Sequence, residues 1–291
     1  MSFLLAMAAA VSLDAAASPP PSGDSSQTIV VQGARDRRQH ANDYLDRIIP
    51  SAFDAQVGRF EDRLCPSTIG LPENLKAEVL ARMRLVAAAA GVPMASGKCV
   101  ANLLLIVVDD KKAVIEGMRR EKQAYLYGIG NDRVKRLESS TAPVAAWQIS
   151  DVIGADGMPL RVDGDDFPRL FTTSPPSRIR TTTRGRLLGA VVIVETRGLP
   201  DVTTRQLADF ALVRGLAPTQ LKEKAAPPSS VMSLFNQGVR PADAPQSLTW
   251  WDLAFLKALF DTPGDSTSFA QRNAIRDKMI KEFAKIPPEQ R

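Results

Sequence analysis

Two apolar runs of strand length constrain this chain more than any other feature. Residues 103–108 read LLLIVV, and residues 187–195 read LLGAVVIVE. The first is a buried-type strand, because a strand without a polar side has no face to give to water. The second is the strongest strand in the chain. Past the amino terminus, no apolar run reaches the ~18–20 residues that a membrane-spanning helix needs. Both runs therefore belong to a folded core.

The segments around the first run read as helix, strand and helix. Leu75, Val79, Met83, Val86 and Ala90 recur at helical spacing and predict a helix over 73–90, with Lys76, Arg82 and Arg84 off the stripe and Gly91 and Pro93 ending it. Asp109 and Asp110 open a second helix over 111–120, where acids suit the positive end. Asp43 to Ile49 suits a short helix ended by Pro50, and residues 56–64 are amphipathic. Cys65 and Cys99, the two cysteines of the chain, flank the long helix. The chain starts with a short apolar stretch at residues 3–13, small residues at Ala15, Ala16 and Ala17, then Pro19, Pro20 and Pro21. That order is the pattern of a secretory signal peptide over 1–17. In an oxidising compartment an even count of cysteines favours a Cys65–Cys99 bridge, worth roughly 3–4 kcal/mol; two free thiols are the alternative.

The 291 residues carry a net charge of +5. An exported basic chain can adhere to anionic envelope polymers or lipid headgroups, although a solvated surface gives the same balance. The one histidine, His40, lies in a polar run (RDRRQH, 35–40) that reads as linker. Any Ser-His-Asp or Cys-His catalysis would have to use it, and zinc sites built on two or three histidines are excluded. No catalytic residues, metal ligands or cofactor are assigned.

Residues 18–28 (SPPPSGDSSQT) read as a disordered spacer, and 29–35 (IVVQGAR) as a lead-in segment or edge strand. The middle of the chain is rich in Gly, Asp and Pro, with a strand at Trp147 to Ile153. Asp163, Asp165 and Asp166 form its acidic cluster, a solvated turn or a calcium-binding group without the twelve-residue loop spacing. Arg178 and Arg180 share one face of an extended segment, and Arg184 and Arg186 follow. The four form a candidate anion-binding strip or a charged edge strand guarded against aggregation. Nucleic acid is not an expected partner, because aromatics do not interleave with the basic residues.

In the C-terminal half, Thr203 and Gln206 have capping-box spacing at the start of a helix that Gly215 and Pro218 close. Residues 230–235 (SVMSLF) follow, then a second capping box at Thr249 and Asp252 opens WWDLAFLKALF, and a last helix spans about 268–285. This order resembles the C-terminal part of zincin-type metallopeptidases, especially metzincins: a strand, an active-site helix ending in glycine, a methionine turn and a closing helix. The resemblance implies that Gly215 and Leu216 match the end of the zinc motif, residues 230–234 the methionine turn and Phe260 the closing tyrosine. It also implies that Ala208 and Leu212 stand where the zinc histidines would, and Asp209 where the catalytic glutamate would. Asp209 is then a structural or ligand-contacting residue of a ligandless relative, or an exposed residue on a plain amphipathic helix. The whole chain also resembles a family of exported alphaproteobacterial proteins without assigned activity, through the lead-in segment, RFEDRLCP with IGLP, the second cysteine before LLLIVV, and this C-terminal half.

The expected fold is α+β. A signal peptide (1–17) and linker (18–40) precede a disulfide-stapled helix-strand-helix subdomain (41–125), a loop-rich connector (126–176) and a strand-plus-helices subdomain (177–291). The expected function is a periplasmic or secreted, non-catalytic binding protein whose partner is an envelope protein or anionic polymer. The alternative is a divergent hydrolase using carboxylates such as Asp109, Asp110 or Asp209.

Overall fold

The computed structural model describes residues 34–49, 56–161, 177–217 and 226–286. Residues 1–17, read as a signal peptide, the segments 18–28 and 29–33, and the Asp163, Asp165, Asp166 cluster lie outside them. The elements are α1 (Ala34–Ile48), β1 (Arg59–Phe60), β2 (Pro66–Ile69), α2 (Glu73–Ala89), β3 (Leu103–Val108), α3 (Lys111–Glu121), α4 (Asn131–Ser139), β4 (Val144–Gly154), β5 (Thr183–Glu195), α5 (Thr204–Leu216), α6 (Trp250–Asp261) and α7 (Ser268–Ala284). The protein is a mixed α+β fold around one five-stranded sheet.

β5 is the axis of that sheet. β4 runs antiparallel along it from Val144 opposite Val194 to Gly154 opposite Thr183, with a bulge at Ile149/Ser150. β1 pairs parallel with its start, at Arg186 and Leu187, and β3 pairs parallel with its end, from Ala190 to Glu195. β2 pairs parallel with β3. Strands from both subdomains read in the sequence therefore share one sheet.

The apolar runs are continuous because both sheet faces are covered. Leu103, Leu105 and Val107 of β3, with Ala190, Val192 and Val194 of β5, join the large core under α1, α2, α5, α6 and α7. Leu104, Ile106, Val191 and Ile193 point the other way, into a smaller core with Ile115 and Met118 of α3 and Val134 of α4. Gly215 lets α5 lie close on the first face: a Cβ there would stand 2.5 Å from Leu103 Cδ1.

Three polar devices fix the register. Asn102 accepts from Cys65 N (2.7 Å) and donates through Nδ2 to Arg63 O (3.0 Å), while its carbonyl accepts from Ala190 N (2.8 Å), which joins β2, β3 and β5. Arg59 Nη1 donates to Phe260 O and Thr262 O, both at 2.6 Å, satisfying carbonyls that the end of α6 leaves open. The capping boxes at Thr203/Gln206 and Thr249/Asp252 are both formed.

Several boundaries differ from the sequence reading. The run 35–40 is not linker: α1 begins at Ala34 and carries His40. The connector holds α4 and the whole of the sheet's edge strand, β4. Residues 56–64 contain only the two-residue β1. Arg178 and Arg180 precede β5, and Arg180 forms an isolated bridge with Ser266.

Cys65 and Cys99 are disulfide-bonded, 34 residues apart. Replacing both with alanine is expected to lower the unfolding free energy by roughly 3–4 kcal/mol in urea denaturation, from the loop-closure entropy returned to the unfolded chain. The untreated protein should show no alkylatable thiol; two such thiols would contradict the bridge.

Candidate functional site

The apolar run of β5 ends at Glu195, a carboxylate left 6% exposed at the carboxyl end of the sheet. An acid buried there needs donors. The Lys111 backbone N–H, at the start of α3, donates to Oε1 at 3.2 Å, and the Lys111 ammonium stands 3.7 Å from the same oxygen. Arg197 Nε donates to Oε2 at 2.8 Å. Burial alone would raise the Glu195 carboxyl; these donors and charges outweigh it and hold the group below the usual carboxylate range. Lys111 is itself buried and donates to Ser140 O at 2.6 Å. Arg197 is the exposed member, with its Nη2 also donating to Thr141 O at 2.8 Å.

Arg197 lines a pocket of about 620 Å³ with Thr141, Asp201, Phe235, Asn236 and Gln237. The volume lies within the ~300–1,000 Å³ of small-molecule sites, and the carboxyl ends of parallel strands are where open α/β sheets take ligands. Asp201 has φ +63°, the one positive φ outside glycine among the described residues. Asp109, also beyond the end of β3, accepts from Thr196 Oγ1 at 2.6 Å. A second, more apolar crevice of about 420 Å³ lies beside the start of β3 and the middle of β5, lined by Val100, Tyr125, Tyr127, Ile149 and Gly189.

The residues singled out in the sequence lie elsewhere. Three of the four arginines of the strip face carboxylates: Arg180 with Asp265 (2.8 Å), Arg184 with Glu61 (2.8 Å) and Arg186 with Asp151 (3.1 Å). Arg178 is exposed in the segment before them. Asp209 is not an exposed residue on an amphipathic helix. α5 is buried throughout from Gln206 to Leu216, and Asp209 is fully enclosed. Arg82 of α2 grips it with two bonds, Nε to Oδ1 at 2.7 Å and Nη2 to Oδ2 at 2.8 Å, and Leu248 N adds a third at 2.5 Å. That grip raises the Arg82 guanidinium above its ordinary range. Ala208 and Leu212 are packed in the core. Asp109 and Asp110 are exposed and Asp110 caps α3, so these acids and Asp209 do not share a cleft. Among the described residues, no three His, Cys, Asp or Glu side chains are grouped to hold a metal ion.

His40 stacks on Trp251 of α6, ring centres 4.4 Å apart, with Nε2 3.1 Å from Ser229 Oγ. Burial lowers its pKa, against a smaller opposing effect of Asp43.

The sequence reading missed Lys111, Glu195 and Arg197 as a group. The available signal was an acid closing an apolar strand at Glu195 with a base two residues on. Comparison with protein-family models, curated proteins and solved structures finds no match to this chain.

Two variants test the buried groups. Asp209→Ala leaves the partly exposed Arg82 and Leu248 N without their acceptor and should cost about 1–3 kcal/mol by urea denaturation, the scale of lost hydrogen bonds to a charged group. His40 gives a pH slope. Its folded pKa is depressed, so below about pH 6.5 the unfolded chain binds the proton first. Its contribution is therefore complete above that pH and falls as pH drops toward the folded value. His40 is the one histidine. The urea midpoint should thus decline from about pH 7.5 to about 5.5, and His40→Phe, which keeps a stacking ring, should flatten that decline.

Proposed function

We propose that the chain is an exported, non-catalytic binding protein of the cell envelope, periplasmic or secreted, on a scaffold akin to zincin metallopeptidases without their zinc ligands. The pocket at the carboxyl end of β5 carries this reading: a guanidinium is held in place by a buried carboxylate and left open to solvent. Such a preset group lowers the ordering cost of binding.

The order of elements after β5 supports the scaffold. α5 comes next, then the 3₁₀ turn Val231–Phe235 with Met232 buried, then α6 with its Thr249/Asp252 cap. At the position equivalent to a catalytic glutamate, Asp209 has both oxygens occupied within the fold. The signal-like segment 1–17 and the disulfide support export, since such bonds persist in oxidising compartments. The charge of +5 suits an envelope protein with acidic surface or an anionic polymer as partner.

The test is to express the full chain in its native envelope, fractionate the cells, and cross-link. The expected result is recovery outside the cytoplasm, shortened at the amino terminus, with one reproducibly captured envelope component. Recovery in the cytoplasm with free thiols would overturn the export reading. Specific turnover by the purified protein, abolished by a point variant, would overturn the non-catalytic one.

A further inference from the structure

The pocket at the end of β5 presents both signs of charge. Arg197 is anchored through Nε and Nη2 to Glu195 and Thr141 O, which leaves its Nη1 edge over for a ligand. Two cations, Lys111 and Arg197, share the single Glu195 carboxylate. Four residues on, Asp201 lines the same pocket. Its carboxylate makes no hydrogen bond or ion pair with any described residue, and its backbone stands in the left-handed region. Such a conformation costs of order 1 kcal/mol and persists where the surroundings impose it, often at ligand sites. Asp201 lies just ahead of Thr203, the cap of α5. The exposed Gln237, with Pro143, Leu234 and Phe235, lines the same pocket.

A simple anion would meet Asp201 in the same pocket, and a simple cation would meet Arg197. A molecule with both charges answers both. We infer that this pocket binds a small zwitterion, an amino acid or a short peptide with free ends, its carboxylate against Arg197 and its ammonium against Asp201. The inference rests on the binding reading above and gives it a ligand class. The carboxylate accepts two charge-assisted bonds at most from the Nη1 edge, and the ammonium donates to Asp201 and to the pocket's amides. No covalent step is involved.

The probes are L-alanine and L-alanyl-L-alanine, with the N-acetylated and C-amidated forms of each, titrated calorimetrically into the full-length mature protein. One of the free-ended probes should bind, L-alanine if the site takes amino acids and the dipeptide if it takes peptide ends. Blocking either end should weaken binding about tenfold or more, the scale of a lost charge-assisted contact. Arg197→Gln should erase the difference between acid and amide, and Asp201→Asn the difference between free and acetylated amine. Asn tolerates the left-handed backbone, so the second variant should fold as the parent does. Equal binding of free and blocked probes, or no binding of either free-ended probe at millimolar concentration by protein with a parental melting curve, overturns the inference. If the probes fail while envelope cross-linking still yields its component, the zwitterion site falls and the binding reading stands. Turnover of a probe would instead remove the non-catalytic reading while leaving the site.

Discussion

The helical layer is organised around one buried acid. Asp252, fully enclosed in the first turn of α6, accepts from Tyr44 Oη (2.6 Å) and Ser230 Oγ (2.5 Å) on one oxygen. Val231 N (2.9 Å) and Thr249 N (3.0 Å) donate to the other. Burial raises the Asp252 carboxyl, and these hydrogen bonds oppose the rise. Burial and the neighbouring acid also push the Tyr44 phenol well above its usual range. Because an unpaired buried charge is very costly, the acid obliges three segments distant in sequence to meet. α1 arrives through Tyr44, the 3₁₀ turn through Ser230 and Val231, and α6 through its own cap. With α6 in place, its last carbonyls lie against Arg59 and draw β1 onto the start of β5.

Asp209 does the same work one layer deeper. Its pair with Arg82 ties α5 to α2, and its bond from Leu248 N ties α5 to the segment entering α6. From Gln206 to Leu216 this helix is buried, and both Asp209 oxygens are occupied by partners within the fold. Two pockets among the described residues lie away from this helix's acid, one beside the start of β3 and the middle of β5, the other past the end of β5.

Much of this architecture was legible because it is local. The helical stripe of α2 and both capping boxes are signals within a few residues, and they stand as read. β3 and β5 were legible because a strand covered on both faces loses its polar alternation. Only the second half of α1 is read as helix, over 43–49; its first half escapes because charged residues mask a sparse apolar spacing, with Ala41, Tyr44, Leu45 and Ile48 buried at i, i+3, i+4 and i+7. α4 buries only Val134 and has almost no stripe to detect. The arginines gave a strip in sequence because their counter-charges are far along the chain; Glu61 lies 123 residues from Arg184, and Asp265 lies 85 from Arg180. Lys111 and Glu195 meet across 84 residues, so neither looks special alone.

Asp252, Asp209 and Glu195 obey one rule: a carboxylate taken from water must be given donors. The outcomes differ in where the donors lead. Those of Asp252 are a buried phenol, a buried hydroxyl and backbone N–H groups, so the cluster ends within the core. Asp209 draws a guanidinium that lies flat against it, with both donors of one edge occupied. Glu195 draws two cations, of which Lys111 is buried and Arg197 is not. Arg197 is therefore left half in solvent, fixed in orientation and facing a cavity whose opposite charge, Asp201, sits in a conformation that side chains rarely adopt. The packing that closes the fold around its first two acids leaves the third with an exposed, oriented charge, and that asymmetry makes the end of β5 the candidate site.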